Sequence, residues 1–453
     1  MNVELPASLV SKTFKQQAKE RYTARGGLVL DWNTLHLRGS RPLHAFDSVM
    51  VHVASCLGAV VAAIAASCLW SLFFSTPDDT PPHASLAFDS FFADDYYHAR
   101  ALFRASAAAA NATQHVIPYI VPNMDLSIDI AILPGSFADD VNASVVVHLS
   151  GIHGVEGFAG SAIQSAWLAS QSATSASKPR PTIVLVHAAN PYGFAKLRRV
   201  NEHNVDLNRN HLTTVQFQAK QAESPNLHGY ANMHAFLNPT PTTMGSWFDS
   251  LYPRAFYHYL VSGYTQCLRT IVSGTYHFDT GLYYGGHRLE PSHRLLHDFF
   301  QANLNLKAIH RVAFLDVHTG LGPRGHDTLD IYMPPSVVNR AAVFDRFNWS
   351  ATPDAMWTSY DRAVGAGIEG YLNLFPQAPV AVGVTQEFGT VSPLAVLTAL
   401  RTENAATQHD PTRRWRAAQA LRDVFYLHED WAWKWQVASR GMALLDHVVA
   451  TMA

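Results

Sequence analysis

The sequence predicts an α/β protein, a three-layer α/β/α domain with a mixed central sheet, preceded by a single transmembrane helix. Three observations predict it. From Phe91 onward, short apolar runs rich in Val and Ile alternate with longer helical stretches, the pattern of a layered α/β domain. Two of these runs, Ala143–Leu149 and Val312–Val317, are followed within a few residues by a His and a Gly, as strands are where they deliver a site. Ahead of them all lies Val49–Phe74, a run without Asp, Glu, Lys or Arg, and about 20 helical residues suffice to cross a bilayer core.

Residues 1–48 have weak periodicity and read as a loosely ordered cytosolic tail. The run 49–74 reads as a signal anchor. His52 lies near one end, and Trp70, Phe73 and Phe74 supply an aromatic boundary at the other. The tail is far longer than the basic region of a cleaved signal peptide, which argues for retention. Lys12, Lys15, Lys19, Arg21, Arg25, Arg38 and Arg41 precede the run, whereas Asp78, Asp79, Asp89, Asp94 and Asp95 follow it with no Lys or Arg before Arg100. By the positive-inside rule the N-terminus is cytosolic and the bulk of the chain lumenal or extracellular. Sequons at Asn111, Asn142 and Asn348 are compatible with that side.

Residues 75–90 read as a Pro-rich linker, and 91–453 as the catalytic domain. Within it Tyr97–Ala110 reads as a helix, and Val116–Val121, Ser127–Leu133 and Val145–Leu149 as strands. Ala159–Ser170 is helical and Thr182–His187 is a buried strand. Val312–Val317, Thr328–Tyr332 and Val380–Glu387 complete the sheet. The stretch 211–310 is rich in aromatics and Pro and reads as an insertion of helices and loops, a wall or lid between site segments. Trp431–Ala453 reads as a closing helix.

With 453 residues, 48% of them hydrophobic, the chain can bury a large core. Its formal net charge of −2, with no basic stripe, gives nucleic-acid binding no electrostatic support. Cys56 and Cys68 fall inside the apolar run and only Cys267 belongs to the soluble part, which excludes a disulfide framework or a Cys-rich metal site.

The chemistry concentrates in Ser150-Gly-Ile-His153-Gly-Val-Glu156-Gly. Glycines let the backbone curl so that His153 and Glu156 face one ion. His318 lies at the end of a later apolar strand, in Asp316-Val-His318-Thr-Gly. Two His and one Glu suit a catalytic zinc ion, which keeps a fourth position open. In Asn204-Val-Asp206-Leu-Asn208-Arg209, Asp206 suits the carboxylate partner of a metal-bound His. Asn208 and Arg209 suit a substrate carboxylate, by amide and bidentate fork. Arg199 suits the oxyanion of a tetrahedral intermediate, with Arg198 as a neighbouring alternative. Glu387, at the end of a Val-rich run, is the candidate general base.

This order of residues resembles the zinc metallocarboxypeptidases of carboxypeptidase A type over roughly 91–453, and Asn190-Pro-Tyr-Gly193 and Val205-Asp-Leu-Asn-Arg209 are among that family's strings. Ser150–Gly160, Gly281-Leu-Tyr-Tyr-Gly-Gly286 and Gln386-Glu-Phe-Gly-Thr390 more closely resemble a little-characterised branch known only as a domain of unknown function. The resemblance implies one zinc ion held by His153, Glu156 and His318, with Glu387 as base and Arg199 at the oxyanion. It also implies Asn208 and Arg209 at the substrate carboxylate and Asp206 orienting His153. The expected activity is removal of C-terminal residues from peptides. An N-acyl-amino-acid deacylase of the aspartoacylase kind is the alternative, and a non-catalytic membrane receptor with a structural metal is a rival from another class.

Overall fold

A computed structural model describes residues 88–136, 143–171, 180–240, 251–347 and 363–453. The expected tail 1–48, the expected anchor 49–74 and most of the linker lie outside them. Among the described residues no helix is long and apolar enough to cross a membrane.

The elements follow in chain order: α1 (Tyr96–Ala109), β1 (Thr113–Val121), β2 (Met124–Leu133), β3 (Ala143–Ser150), α2 (Gly157–Gln171), β4 (Thr182–His187) and α3 (Pro191–Lys196). Then come α4 (Thr214–Ala222), α5 (Tyr230–Leu237), α6 (Leu251–Ser262), α7 (Tyr264–Ser273), α8 (Pro291–Asn303), β5 (Ile309–Arg324), β6 (Asp327–Tyr332) and α9 (Arg340–Phe347). The last are α10 (Gly367–Leu372), β7 (Val380–Gly389), α11 (Pro393–His409), α12 (Arg414–Phe425) and α13 (Trp431–Met452).

The seven strands form one sheet in the order β1-β2-β4-β3-β5-β7-β6. The centre, β4-β3-β5-β7, is parallel; β1, β2 and β6 join antiparallel, so the sheet is mixed as expected. Central strands are covered on both faces, which is why Ala143–Ser150 and Thr182–His187 are buried throughout and read as unbroken apolar runs. β1 is an edge strand, mostly exposed or half-buried, and accommodates Pro118 there without breaking a central ladder.

Alternation along β5 shows the three layers. Leu315 is in register with His148 of β3, whose Nδ1 lies 3.2 Å from Gln164 Nε2 on α2. Phe314 points the other way, where it stacks on Tyr371 of α10 at 5.8 Å and meets Phe300 of α8 edge-on at 5.9 Å. α13 closes the first face. Gly441 lets its backbone approach Ile163 of α2, where any Cβ would lie 2.3 Å from that side chain.

The expected insertion 211–310 is shorter than its predicted span at the C-terminal end. α4 to α7 and the loop to Gly286 form the wall, with a small core of its own around Tyr230, Met233, Phe236 and Leu237. α8, by contrast, buries Leu296, Phe299 and Phe300 in the main core. Sequence reading also passed over α11 and α12, which pack on one another after β7.

Candidate metal centre

β3 and β5 are adjacent and parallel, with Ser150 in register with Val317, so the residues that follow each strand emerge side by side. The turn after β3 is shaped by glycine. Gly151 has φ +65°, and a Cβ on Gly154 would lie 2.0 Å from the Gly193 carbonyl carbon. That approach lets Gly154 and Val155 N–H donate to the carbonyls of Arg199 and Arg198. Asn190 caps α3 by accepting from Gly193 N–H (2.8 Å) while its own N–H donates to Gly151 O (2.9 Å). The Asn190–Gly193 string thus acts as the brace of the turn that presents His153 and Glu156.

His153, Glu156 and His318 come together, all at most 3% exposed, with candidate ligand atoms within 4.8 Å of one another. His153 Nε2 lies 3.0 Å from Asp206 Oδ1, and His318 Nε2 lies 3.0 Å from Asp316 Oδ2. Each ring therefore spends its Nε2–H on a carboxylate and turns Nδ1 toward Glu156. His318 Nδ1 is 2.9 Å from Glu156 Oε2 and His153 Nδ1 is 3.0 Å from Oε1. His153 Nδ1, beside Glu156 Oε1, is a buried nitrogen that makes no regular hydrogen bond. The donor set, the backing carboxylates and this orphaned nitrogen fit a zinc ion held by two imidazoles and one carboxylate.

The surrounding charges are consistent with that fit. Burial opposes ionisation of Glu156, but His153 and His318 outweigh it and hold the carboxyl well below its ordinary range. Asp206 is likewise held low against burial by Arg209, Arg199 and His153. Burial favours neutral His318, yet Asp316 and Glu156 outweigh it and raise its pKa well above the usual imidazole value. At neutral pH the metal-free ring therefore carries a proton on Nδ1, and a metal ion must displace it. Zinc binding is expected to release about one proton and to tighten as pH rises. Calorimetric zinc titrations in buffers of different ionisation enthalpy check this; an enthalpy independent of buffer would refute it.

Glu387 stands opposite His318 in the β5–β7 register, and its Oε1 accepts from Leu321 N–H at 2.9 Å. Burial, with help from Glu156, pushes its pKa up to about 7, against the opposing pull of His318 and the Leu321 N–H. Arg199 reaches the centre. Its Nη1 donates to Glu156 Oε1 and its Nε to Asp206 Oδ2, each at 3.1 Å. Arg198 turns away to Glu403 (2.7 Å) and Asn204 (3.0 Å), which separates the two neighbours.

Asn208 and Arg209 are placed differently from the expectation of a substrate-gripping pair. Asn208 Oδ1 accepts from Gly367 N–H (3.0 Å), tying the loop before α10 to the centre. Arg209 is 5% exposed, and its Nε, Nη1 and Nη2 donate to Val272 O, Asp206 Oδ2 and Ile271 O. Desolvated and directed at the wall, this guanidinium props Asp206 from behind. Two neighbours were not assigned roles from sequence. Asp316 could have been, because the two-residue spacing from His318 puts both on one face of a strand. Tyr283, whose ring lies over Arg199 and Arg209, arrives from the wall, and no local pattern places it.

The family model described as "Protein of unknown function (DUF2817)" matches residues 92–440. No curated protein matches the chain. Similar solved structures include a provisionally assigned metallopeptidase from Shewanella baltica OS155, 14% identical, with 74% of this chain and 92% of that one covered and a TM-score of 0.36. Another is the carboxypeptidase A of Helicoverpa armigera, 16% identical, with coverage of 95% and 87% and a TM-score of 0.35. A third is a provisionally assigned succinylglutamate desuccinylase/aspartoacylase from Shewanella frigidimarina NCIMB 400, 18% identical, with coverage of 61% and 64% and a TM-score of 0.30.

Proposed function

We infer the function from two premises: the chain belongs to the DUF2817 family, and its buried His153–Glu156–His318 cluster has the donors of a catalytic zinc site with a carboxylate base beside it. The reading is a zinc-dependent hydrolase of amide bonds, acting on substrates that carry a carboxylate near the cleaved bond. The observation that carries it is the pair of Nδ1 atoms turned toward Glu156, one of them buried without a hydrogen bond, next to Glu387. A bound zinc ion would supply Lewis acidity to water and to the scissile carbonyl.

The protein's own residues do the rest. Glu387 takes a proton from the attacking water and returns it to the leaving amine nitrogen. Arg199, fixed by Glu156 and Asp206, offers a donor to the developing oxyanion. Asp206 and Asp316 hold the two imidazoles in the tautomer that frees Nδ1. Peptides trimmed at their C-terminus are the first substrate class. N-acyl-amino acids are the second, favoured by the low exposure of the centre, where His153, Glu156 and His318 are each at most 3% exposed. A receptor with a purely structural metal would have no use for Glu387. The full-length chain, loaded with zinc, is to be screened against peptides, their C-terminal amides and N-acyl-amino acids, with products read by mass spectrometry. Release of single C-terminal residues supports the first class and deacylation the second. Cleavage of amides as fast as free acids refutes the need for a carboxylate.

We further propose that 49–74 anchors the chain in a membrane with a cytosolic N-terminus, on the charge asymmetry of its flanks. In sealed microsomes protease should then remove the tail and spare the catalytic domain. Digestion of that domain with intact membranes would reverse the orientation.

A further inference from the structure

Tyr283 belongs to the Gly281–Gly286 string, and the hydrolytic reading gives it no task. The rest of the wall and Asp206 hold that string by its backbone. Leu282 O accepts from Tyr230 Oη (2.6 Å) and Leu282 N–H donates to Asn238 Oδ1 (2.7 Å). Tyr283 O accepts from Thr275 N–H (3.1 Å), and Tyr284 O from Asp206 N–H (2.7 Å). Tyr283 is thereby fixed at φ +59°, a left-handed conformation that a bulky residue keeps only where its surroundings over-determine it.

In that conformation the ring centroid lies 4.9 Å from Arg209 Cζ and 5.6 Å from Arg199 Cζ, both within cation–π range. The residue is 5% exposed, so the contact is desolvated, where it is strongest. Its hydroxyl makes no hydrogen bond among the described residues. Tyr230 and Tyr276 spend theirs on Leu282 O and Arg209 O. What the fold uses in Tyr283 is the face of the ring. The need is clear from the charges: two guanidinium groups converge on one oxygen, Asp206 Oδ2, and repel one another.

We propose that Tyr283 is a positioning residue for Arg199, holding its guanidinium beside Glu156 through the π face of the ring and not through the hydroxyl. This gives the inserted wall a role in the reaction, and it rests on the hydrolytic reading only for its kinetic readout. The test uses the zinc-loaded full-length chain with Phe, mono-, di- and trifluorophenylalanine, and Leu at position 283. Tyr283→Phe should stay near wild-type kcat. Successive fluorines, which drain the ring's negative face at nearly constant size, should lower kcat step by step. Tyr283→Leu should lower kcat about 30-fold, the size of a desolvated cation–π contact, with KM and zinc content little changed. In parallel, the Nε–Hε resonances of Arg199 and Arg209 in the nitrogen-15-labelled chain should lose their ring-current shifts in Tyr283→Leu. A flat fluorine series, or Phe as impaired as Leu, overturns the proposal. Unmoved arginine resonances in Tyr283→Leu overturn it too, even if no substrate is turned over; absence of turnover with shifted resonances would fault the hydrolytic reading and leave the clamp standing.

Discussion

Glu387→Gln is expected to leave the protein folded and loaded with zinc while turnover falls about 10²–10⁴-fold, the typical loss of one acid–base group. The amide is nearly isosteric, and its oxygen can still accept the Leu321 N–H that Glu387 Oε1 accepts at 2.9 Å. It cannot take a proton from water. The wild-type pH dependence should show the same group. Glu387 acts as a carboxylate, so activity is lost as pH falls through its pKa, which burial and Glu156 place at about 7 in the metal-free protein. A bound dication favours the charged form, so the acid limb should lie at or below that value. The measurements are steady-state kinetics across pH and metal analysis of the purified variant. Turnover near wild type with zinc in place would mean that the base lies elsewhere.

The sheet was legible because its strands are apolar runs. All seven expected strands exist, and β3, β4 and β7 begin and end close to the predicted residues because strands buried on both faces need unbroken Val and Ile. β5 shows where that signal stops. After His318 it continues through Gly320, Gly322 and Pro323 to Arg324, a stretch that reads as a turn. What keeps it extended is pairing with β7, across a register shift between Gly320 and Arg324. The candidate ligands stood out in the sequence because His153 and Glu156 sit among glycines just after β3, and His318 closes the apolar part of β5. The arginines were harder. Arg198 and Arg199 are chemically identical neighbours, and it is Asn204 together with Glu403, 205 positions away, that turns Arg198 from the centre. Arg209 is a similar case: its fork reaches the carbonyls of Ile271 and Val272, and a local sequence string carries no record of those partners. Tyr283 is the extreme case, since its place depends on the folding of the whole wall.

His153→Ala should remove most of the zinc, taking the bound metal from about one ion per chain, as three-ligand catalytic sites carry, to a small fraction. The substitution deletes the orphaned Nδ1 and leaves Glu156 and His318 as the only ligands. Asp206 loses one partner but keeps Arg199, Arg209 and the Asn208 N–H, so the braced turn itself should persist. Asp316→Asn offers the contrast. It keeps all three ligands and weakens only the carboxylate behind His318 Nε2, which typically costs 10–100-fold in metal affinity, roughly 1.4–2.8 kcal/mol. The two variants should therefore separate in a zinc titration, one failing to load and the other loading at higher free zinc. Stability reports the same difference by mass action, because a ligand that binds only the folded state stabilises it by about 4 kcal/mol at a thousand times its Kd. Chelation should lower the Tm of the wild type, lower that of Asp316→Asn by less, and leave His153→Ala where it was. Full zinc occupancy in His153→Ala, or an equal response of all three proteins to chelator, would show that the metal is held by other residues.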